Sequence, residues 1–585
     1  METRREHSTG GFKMGKKEKM TMESSDWHEL LSKPQYKMKS WEVDLPIEAR
    51  DGTMLYADVC RPDADGKFPA LVSLSPYGKD MQRLPAPIGK VSDYTRGTGG
   101  HESGVTEYFV PRGYVHVHAD YRGISKSGGS YTHFGLKQQE DGYDIIEWVA
   151  KQPWCNGNVG MLGMSYFAVN QYLVAAQQPP HLKAIFPHDG LTDMYRHMAY
   201  HGGMFNFGFY HHIWRLFPTS TTKPMSLDEF TPEEYEKKLQ ELRDDYVIQT
   251  YPYLYKLTIC PEYNPLMLDY LLHPFDGPFY WERSAYTKFV KIKVPTYCLS
   301  RWSAWAIHLP GAFDAYDGID APKRLTITET PWEGGFGRPW YENHDLVLRW
   351  YDHWLKGIDT GVMDEPPIRI FVKGINEWRY EEEWPLERTK WTKFYLRQSG
   401  LLSEVPPEPH ERPDSFTNEP WQSPGETSAF ITYTTEPLNE DVEVTGPAAF
   451  YFYASLSTDD ANWFVNLWDV DQKGTKTLVT KGWLKASHRE LDEEKSEFYR
   501  PYHKHQRKLP INPEEVYEYA VDIRDTSYVF KRGHTMQLLI KGQDSPWEDF
   551  FIWYHVNNMK ATKHSVYHDS RYSSYVILPI IPKDS

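Results

Sequence analysis

The strongest chemical signal in the sequence is a serine at the junction of an apolar strand and a helix. Residues 158–168 read as a strand, a sharp turn from Gly163 to Ser165, and a helix that begins at Tyr166. A serine on such a turn exposes its Oγ as a nucleophile, and the first amide of the helix can donate to the oxyanion formed on attack. The usual motif is G-x-S-x-G, whereas Phe167 holds its fifth position, so the pattern alone also permits a chance G-x-S at a strand end.

The elements that must position this serine predict a parallel sheet preceded by an antiparallel hairpin. Apolar runs at 68–74 and 114–119 are typical of strands buried on both faces, and residues 139–150 have the apolar spacing of a helix. Strands and helices continue to alternate through the serine turn, which is the βαβ rhythm of an α/β domain. We assign this domain to residues 39–193 and 291–386.

Three further segments differ in composition from the α/β domain. Residues 194–290 are rich in aromatic and acidic residues and lack strand alternation, so they predict an inserted helical cap. From 387 to 585, short alternating strands are separated by Gly, Pro and Asp, which predicts a β-sandwich or jelly roll. Residues 1–38 begin with a basic leader that lacks an apolar core, and we expect a flexible tail there.

A series of short motifs places the chain near a known family. The motifs are PYGK (76–79), DYRG (120–123), EDGYD (140–144), QPWCNGNVG (152–160), RWYDHWLKG (349–357), TEPL (435–438), VTG (444–446) and ASHR (486–489). The order and spacing of these motifs resemble those of the cocaine esterase / X-prolyl dipeptidyl aminopeptidase family of serine hydrolases. The resemblance implies an α/β-hydrolase fold with an inserted helical cap and a C-terminal β jelly-roll domain, which agrees with the pattern of elements.

The resemblance also implies roles for three residues. Ser165 would be the nucleophile, and the Tyr77 hydroxyl and the Tyr166 amide would form the oxyanion hole. Each such donor is worth about 3–4 kcal/mol of barrier. The alternative for Tyr77 is a core tyrosine whose hydroxyl is bonded within the fold.

The resemblance fails at the two positions that should activate the serine. A serine nucleophile needs a base within hydrogen-bond reach and an acid that orients this base. The family's acid position corresponds to Ala304 and its histidine position to Gly334, so both groups are missing there. His308 is our first substitute for the base, against the alternative of a packing or surface histidine. Glu333 could act as a carboxylate base if it is desolvated, but we prefer a solvated glutamate.

Other histidines lie at a predicted strand end or in the cap. His188 and Asp189 follow the strand after the serine helix, at the edge where parallel strands place ligand sites, but they also form a turn signal. His201, His211 and His212 belong to an aromatic cluster that reads mainly as packing. These histidines lack the carboxylate company of a metal site, so we predict neither a metal nor a cofactor.

Composition and charge exclude several classes of protein. Apolar residues make up 40% and charged residues 25% of the chain, as in globular proteins. The net charge of −16 argues against a nucleic-acid partner. The sequence has no apolar run of about 18 residues, no secretory signal and no Asn-x-Ser/Thr acceptor, so we expect a cytoplasmic enzyme with no membrane partner. We expect a small-molecule substrate and leave a homodimer open.

Three functions are compatible with these observations. The first is a serine hydrolase or acyl-transfer enzyme that acts through Ser165 on an ester or amide of a mostly apolar small molecule, with a degenerate or rearranged triad. The second is a non-hydrolytic enzyme, for cyclisation, isomerisation or carbon–carbon cleavage, in which the oxyanion donors matter more than the serine. The third is a catalytically inactive binding protein on the same scaffold, against which the serine turn and Tyr77 argue.

Overall fold

A computed structural model describes residues 27–83, 102–329, 340–420, 429–545 and 553–583. Within these residues the strands form two large sheets and a two-stranded ribbon. The large sheets follow each other along the chain, because the last strand of the first sheet ends before the first strand of the second begins.

The N-terminal sheet is formed by strands from both predicted parts of the α/β domain. These are β1 (Glu42–Glu48), β2 (Met54–Cys60), β3 (Phe68–Ser75), β4 (Val115–Asp120), β5 (Cys155–Met164), β6 (Leu182–His188), β9 (Thr296–Arg301), β10 (Lys323–Thr328), β11 (Ile368–Val372) and β12 (Glu377–Glu381), while β7 (Tyr200–His201) and β8 (Met204–Phe205) form the ribbon. The sheet order is β1-β2-β4-β3-β5-β6-β9-β10-β11-β12. The strands from β4 to β11 in this order are parallel, and β1, β2 and β12 are antiparallel to their neighbours.

Among the described residues, some helices alternate with the strands of the N-terminal sheet and others lie in the cap. They are α1 (Lys79–Gln82), α2 (Thr106–Phe109), α3 (Leu136–Ala150), α4 (Tyr166–Ala175), α5 (Phe207–Ile213), α6 (Pro232–Asp244), α7 (Tyr246–Thr250), α8 (Pro252–Leu257), α9 (Pro265–Leu272), α10 (Pro278–Arg283), α11 (Leu309–Gly318) and α12 (Trp340–Lys356). Six of them, α5 to α10, lie between β8 and β9, which confirms the helical character of the predicted insertion.

Both faces of the parallel sheet are buried, which explains the continuous apolar runs. Leu71 of β3 and Leu162 of β5 pack in the same cluster as Trp350 of α12. Their neighbours Val72 and Met161 point to the opposite face and pack in the large cluster that includes residues of α3, α4 and α11. Since successive side chains of a strand alternate between faces, a strand covered on both sides is apolar throughout.

The C-terminal part is a β domain, as predicted. Its strands are β13 (Lys390–Arg397), β14 (Leu401–Ser403), β15 (Asp414–Asn418), β16 (Phe430–Thr434), β17 (Val442–Leu456), β18 (Asn462–Val470), β19 (Lys476–Lys485), β20 (Tyr517–Phe530), β21 (Thr535–Lys541), β22 (Thr562–Tyr567) and β23 (Tyr575–Ile581). The long strand β17 pairs with β20, β22 and β23, so the hydrogen-bonded sheet turns back on itself. It encloses its own apolar core.

Part of the predicted N-terminal tail is folded. Trp27 and Leu31 are buried, and the Arg349 guanidinium lies 4.6 Å from the centre of the Trp27 ring. The N–H of Ser32 donates to Asp352 Oδ2 at 2.7 Å. Residues 27–38 were therefore wrongly predicted as a flexible tail. The leader is basic only in its earlier part, and Trp27, Leu30 and Leu31 have the spacing of one apolar helical turn, which is too short to predict burial by itself.

Candidate active site

Ser165 lies on a strained turn at the carboxyl end of β5. Its φ and ψ are 56° and −118°, a conformation that non-glycine residues rarely adopt, and α4 begins at the next residue. Gly163 has φ 144°, and a Cβ there would lie 2.2 Å from the Cβ of Phe167. The first glycine of the motif is thus required by space, whereas the fifth position accommodates a buried phenylalanine. This geometry is that of a nucleophile elbow and excludes a chance G-x-S.

Backbone hydrogen bonds hold the turn to neighbouring strand ends. The N–H of Ser165 donates to the carbonyl of His188 at 2.9 Å, and the N–H of Met164 donates to the carbonyl of Glu102 at 2.8 Å. Tyr166 is the first residue of α4, where a helix leaves its N–H groups without intrahelical acceptors. This end of the helix also carries partial positive charge. The Tyr166 amide can therefore donate to an oxyanion at Ser165.

Tyr77 follows β3 and lies at the same edge of the sheet as Ser165, since β3 and β5 are parallel neighbours. Its ring is buried and packs against Tyr166, Phe167 and Phe217, with centroid distances of 6.3, 6.1 and 5.8 Å. Its hydroxyl hydrogen-bonds to the Glu102 carboxylate. Both sequence interpretations of Tyr77 thus have a structural basis: it lies beside the elbow, and its hydroxyl has a partner.

A buried carboxylate lies at the end of β6. The side chain of Ser300 donates to Asp189 Oδ1 at 2.9 Å, and Arg301 Nη2 lies 3.4 Å from Oδ2. Burial opposes ionisation of this carboxyl, but the Arg301 guanidinium, the nearby imidazoles of His188 and His308 and the Ser300 hydrogen bond outweigh it and lower the pKa of Asp189. Asp189 is therefore an anion at neutral pH.

His308 lies at the N-cap of α11, on the loop that follows β9. Its Nδ1 is buried and has no hydrogen-bond partner within the described residues. Burial lowers the pKa of His308 to about 4, with the Asp189 charge opposing this shift and the Arg301 charge adding to it. The imidazole is therefore neutral at pH 7. The loop brings His308 within electrostatic reach of Asp189.

The position predicted for the family's acid holds no carboxylate. Ala304 is buried at the end of a short 3₁₀ turn, Trp302–Ala304. One of the two parallel neighbours of β9 is β6, and His188 stands in register with Leu299, so the ends of these strands lie side by side. The positions of Gly334 and Glu333 lie outside the described residues.

Sequence reasoning missed Glu102 at this site. Burial raises the pKa of Glu102 to about 8; the Tyr77 hydrogen bond lowers it, and the Asp189 charge raises it further. The segment that carries Glu102 passes close over β5, because a Cβ on Gly104 would meet Leu162 Cδ2 at 2.5 Å. A lone glutamate in a polar, glycine-containing stretch has no periodicity that reveals such a contact.

Five aromatic side chains, here called the aromatic wall, lie beside the elbow: Tyr77, Tyr131, Phe134, Tyr166 and Phe217. The Tyr166 ring stacks on Phe134 at 4.0 Å, and its hydroxyl accepts a hydrogen bond from Tyr131 at 3.0 Å. Phe217 packs against Tyr131 and Tyr77 at 5.0 and 5.8 Å. The side chains packed around Tyr77 and Tyr166, beside the elbow, are thus mainly aromatic.

The cap histidines take no part in this arrangement. His201 is bonded to His555, and His211 lies near the surface beside Arg215. Where the chain is described, no group of three or more His, Cys, Asp or Glu side chains could hold a metal ion. Among the helices of the described residues, none is both long and apolar enough to cross a membrane.

The sheet order, the elbow after its central strand and the inserted helices define an α/β-hydrolase with a serine elbow. The chain belongs to the cocaine esterase / X-Pro dipeptidyl-peptidase family and is a hydrolase of that family. Residues 51–333 match the model of the X-Pro dipeptidyl-peptidase (S15 family), and residues 360–577 match the X-Pro dipeptidyl-peptidase C-terminal non-catalytic domain. The family, the fold class and the hydrolase class expected from the sequence are confirmed.

Individual relatives match almost the whole chain. The cocaine esterase of Rhodococcus sp. (strain MB1 Bresler) is 25% identical over 92% of this chain and 98% of its own length. A solved CocE/NonD family hydrolase from Staphylococcus aureus is 26% identical, with a TM-score of 0.74 over 92% of this chain and 94% of its own. The structure of an α-amino acid ester hydrolase is similar in fold, with 19% identity and a TM-score of 0.70 over 93% of this chain and 97% of its own.

Proposed function

We propose that this hydrolase cleaves, or transfers the acyl group of, an ester or amide of a mostly apolar small molecule through Ser165, with His308 as the base and Asp189 as the acid. The observation that carries the proposal is the pairing of a strained serine at the end of β5 with an anionic Asp189 and a neutral His308 at the next two strand ends. The triad is then rearranged rather than lost.

The order of the strands in the sheet explains how the triad can be rearranged. A carboxylate after β6 lies beside the end of β9, because these strands are parallel neighbours. A histidine on the loop after β9 can therefore be oriented from β6 when the position on its own loop, Ala304, has no carboxylate. The anionic state of Asp189, maintained by Arg301 and Ser300, suits it to stabilise an imidazolium.

The proposed reaction proceeds through an acyl-enzyme, and His308 acts first as a base and then as an acid. Ser165 Oγ attacks the substrate carbonyl carbon and passes its proton to His308, and Asp189 stabilises the resulting imidazolium. The Tyr166 amide and the Tyr77 hydroxyl donate to the oxyanion. The imidazolium then protonates the leaving alcohol or amine, which leaves an acyl-Ser165. Water, or another acyl acceptor, attacks this ester with His308 again as base.

The aromatic wall supports an apolar acyl or alcohol group in the substrate. Tyr77, Tyr166 and Phe217 contact one another beside the elbow, and an apolar group placed on them leaves water. The hydroxyl partners of Tyr166 are Tyr131 and Gln138, so this wall offers few polar groups that are not already bonded. Neutral aryl or alkyl esters therefore fit better than highly charged substrates.

Hydrolysis of aryl esters of increasing acyl length tests the proposal. We expect turnover in the wild-type enzyme, its loss in Ser165→Ala and His308→Ala, and ordinary rates in the control His211→Ala, which changes a cap histidine near the surface. Turnover that persists in Ser165→Ala would contradict the acyl-serine mechanism and favour a step that uses only the oxyanion donors. Equal rates in His308→Ala and His211→Ala would exclude His308 as the base.

A further inference from the structure

A buried carboxyl group lies behind the tyrosine of the oxyanion hole. Glu102 is buried, and the Tyr77 hydroxyl hydrogen-bonds to it. Its Oε2 is buried without a hydrogen-bond partner among the residues that the structure describes. Its carbonyl receives the N–H of Met164 at 2.8 Å, so its backbone is tied to the residue before the nucleophile. Burial of an ionised carboxylate with one oxygen unpaired costs far more free energy than burial of a neutral carboxyl group.

We propose that Glu102 is a positioning residue whose protonated carboxyl donates to the Tyr77 oxygen and so directs the Tyr77 hydroxyl hydrogen to the oxyanion. The inference deepens the function proposed above and rests on it. It assigns a role to a residue that lies outside the nucleophile, base and acid.

The two protonation states of Glu102 leave Tyr77 with opposite capacities. A carboxylate only accepts, so the Tyr77 hydroxyl must donate to it and presents its oxygen lone pairs to the substrate. A carboxylic acid has a hydrogen of its own, which it can donate to the phenolic oxygen. The Tyr77 hydrogen is then available to the oxyanion. Only the protonated state therefore completes the oxyanion hole.

Charges around Glu102 favour the protonated state at neutral pH. Desolvation raises its pKa, Tyr77 lowers it, and the Asp189 anion raises it, to about 8. Arg301 lies beyond Asp189 and is paired with that carboxylate. On the other side, His116 of β4 hydrogen-bonds to the backbone of Ser103 and stays neutral, because burial lowers its pKa to about 3. Among the described residues, no cation thus faces the carboxyl group directly.

The sign of the pH dependence follows from this arrangement. The acid form is complete well below pH 8 and is lost as the pH rises through about 8. Acylation of Ser165 should therefore slow on the alkaline side, by about tenfold for each pH unit above the pKa. The neutral base His308 does not change charge in that range, since its pKa is about 4.

The rate of Ser165 labelling by a fluorophosphonate, measured between about pH 6 and pH 10, tests the proposal. In Glu102→Gln the amide donates to Tyr77 at every pH, so we expect labelling to persist and the alkaline decline to disappear. In Tyr77→Phe we expect a loss of about 10²–10³-fold at neutral pH and no decline attributable to Glu102. The matched control is Glu107→Gln, an exposed glutamate five residues away, which should keep the wild-type profile.

Infrared difference spectra give a second readout that does not need turnover. The spectrum of the wild type minus that of Glu102→Gln should show a protonated-carboxyl band that is lost through about pH 8, whereas Asp120, whose pKa burial also raises to about 8, contributes equally to both proteins and cancels. An alkaline decline that stays unchanged in Glu102→Gln, or in Tyr77→Phe if the first variant does not fold, overturns the proposal. So does the lack of that band in the wild type at neutral pH. These failures leave Ser165 labelled, whereas a wild type that is not labelled at any pH overturns the proposed function itself.

Discussion

Two buried histidine–aspartate arrangements in this molecule differ in how completely they are bonded. Where the cap meets the C-terminal domain, His201 Nδ1 lies 2.8 Å from His555 Nε2, and His555 Nδ1 lies 3.1 Å from Asp544 Oδ2. His201 Nε2 lies 3.2 Å from the carbonyl of His197, so every ring nitrogen of this relay has a partner. Trp483 stacks on the His201 ring at 5.1 Å.

At the elbow the bonding is incomplete. His308 Nδ1 is buried without a partner within the described residues, although Asp189 and Arg301 act on it electrostatically. The elbow itself carries a serine with positive φ, Ser165. A satisfied polar network stabilises a unique packing, whereas unsatisfied buried groups and backbone strain concentrate at functional sites. From this contrast we infer a structural role for His201, His555 and Asp544 at the contact between domains, and we keep the catalytic role of His308 as the proposal to be tested.

We expect the replacement of His308 to give the largest difference in activity between the two histidine–aspartate arrangements. We expect His308→Ala to lower kcat/KM for an aryl ester by about 10³–10⁴-fold, because Ser165 loses its base, with a change in unfolding free energy near zero. Steady-state kinetics and urea unfolding measure the two quantities. A variant that keeps the wild-type rate would show that the base lies elsewhere.

The matched change on the acid is Asp189→Asn. It keeps an oxygen that can accept from Ser300 but removes the charge that stabilises the imidazolium, so we expect a loss of about 10²–10⁴-fold in kcat. Asp544→Asn changes the other arrangement in the same way and should leave kcat unchanged. If both variants lose activity equally, the distinction between the two arrangements is wrong.

His201→Ala should have the opposite signature to His308→Ala. It leaves His555 Nε2 buried without its partner, which costs about 1–3 kcal/mol of unfolding free energy. The kcat of the folded fraction should stay within about twofold of the wild type. Denaturant midpoints, measured together with active-site titration, test this expectation; a selective loss of kcat without loss of stability would contradict it.

The smallest expected effect is a change in kcat/KM on the acid side of its pH profile. Because the pKa of His308 is lowered to about 4, the base stays neutral below the pH at which an ordinary histidine becomes charged. We expect kcat/KM to hold down to about pH 5 and to fall as the pH approaches 4. Circular dichroism at each pH separates this decline from unfolding. A decline centred near pH 6.5 would mean that His308 is not the group that titrates.

Local motifs predicted what depends on adjacent residues. Gly163 and Ser165 left the elbow and a chance G-x-S both open, and the family resemblance favoured the elbow and implied the place of Tyr77. The role of Asp189 was undecided in the sequence, because a turn signal and a strand-end carboxylate look alike until the pairing of β6 with β9 is known. Glu102 could not be predicted at all, since its contacts with Tyr77 and Met164 arise only in the folded chain.

Patterns that extend over many residues predicted the overall architecture but not every strand or the folded N-terminal segment. The α/β alternation, the helical cap and the β domain follow from periodicity and composition, whereas β11 and the edge strand β12 are short and are not predicted individually. Residues 27–38 pack through Trp27, Leu31 and a few hydrogen bonds, and a single apolar turn is too short to predict such an anchor.

The central claim is that Ser165 is a nucleophile activated by His308. Peptide mapping by mass spectrometry after fluorophosphonate treatment tests it most directly. The account predicts one adduct, on Ser165, that forms about 10³-fold more slowly in His308→Ala and at the wild-type rate in His201→Ala. No adduct on Ser165, or an adduct that forms equally fast in both histidine variants, would contradict it.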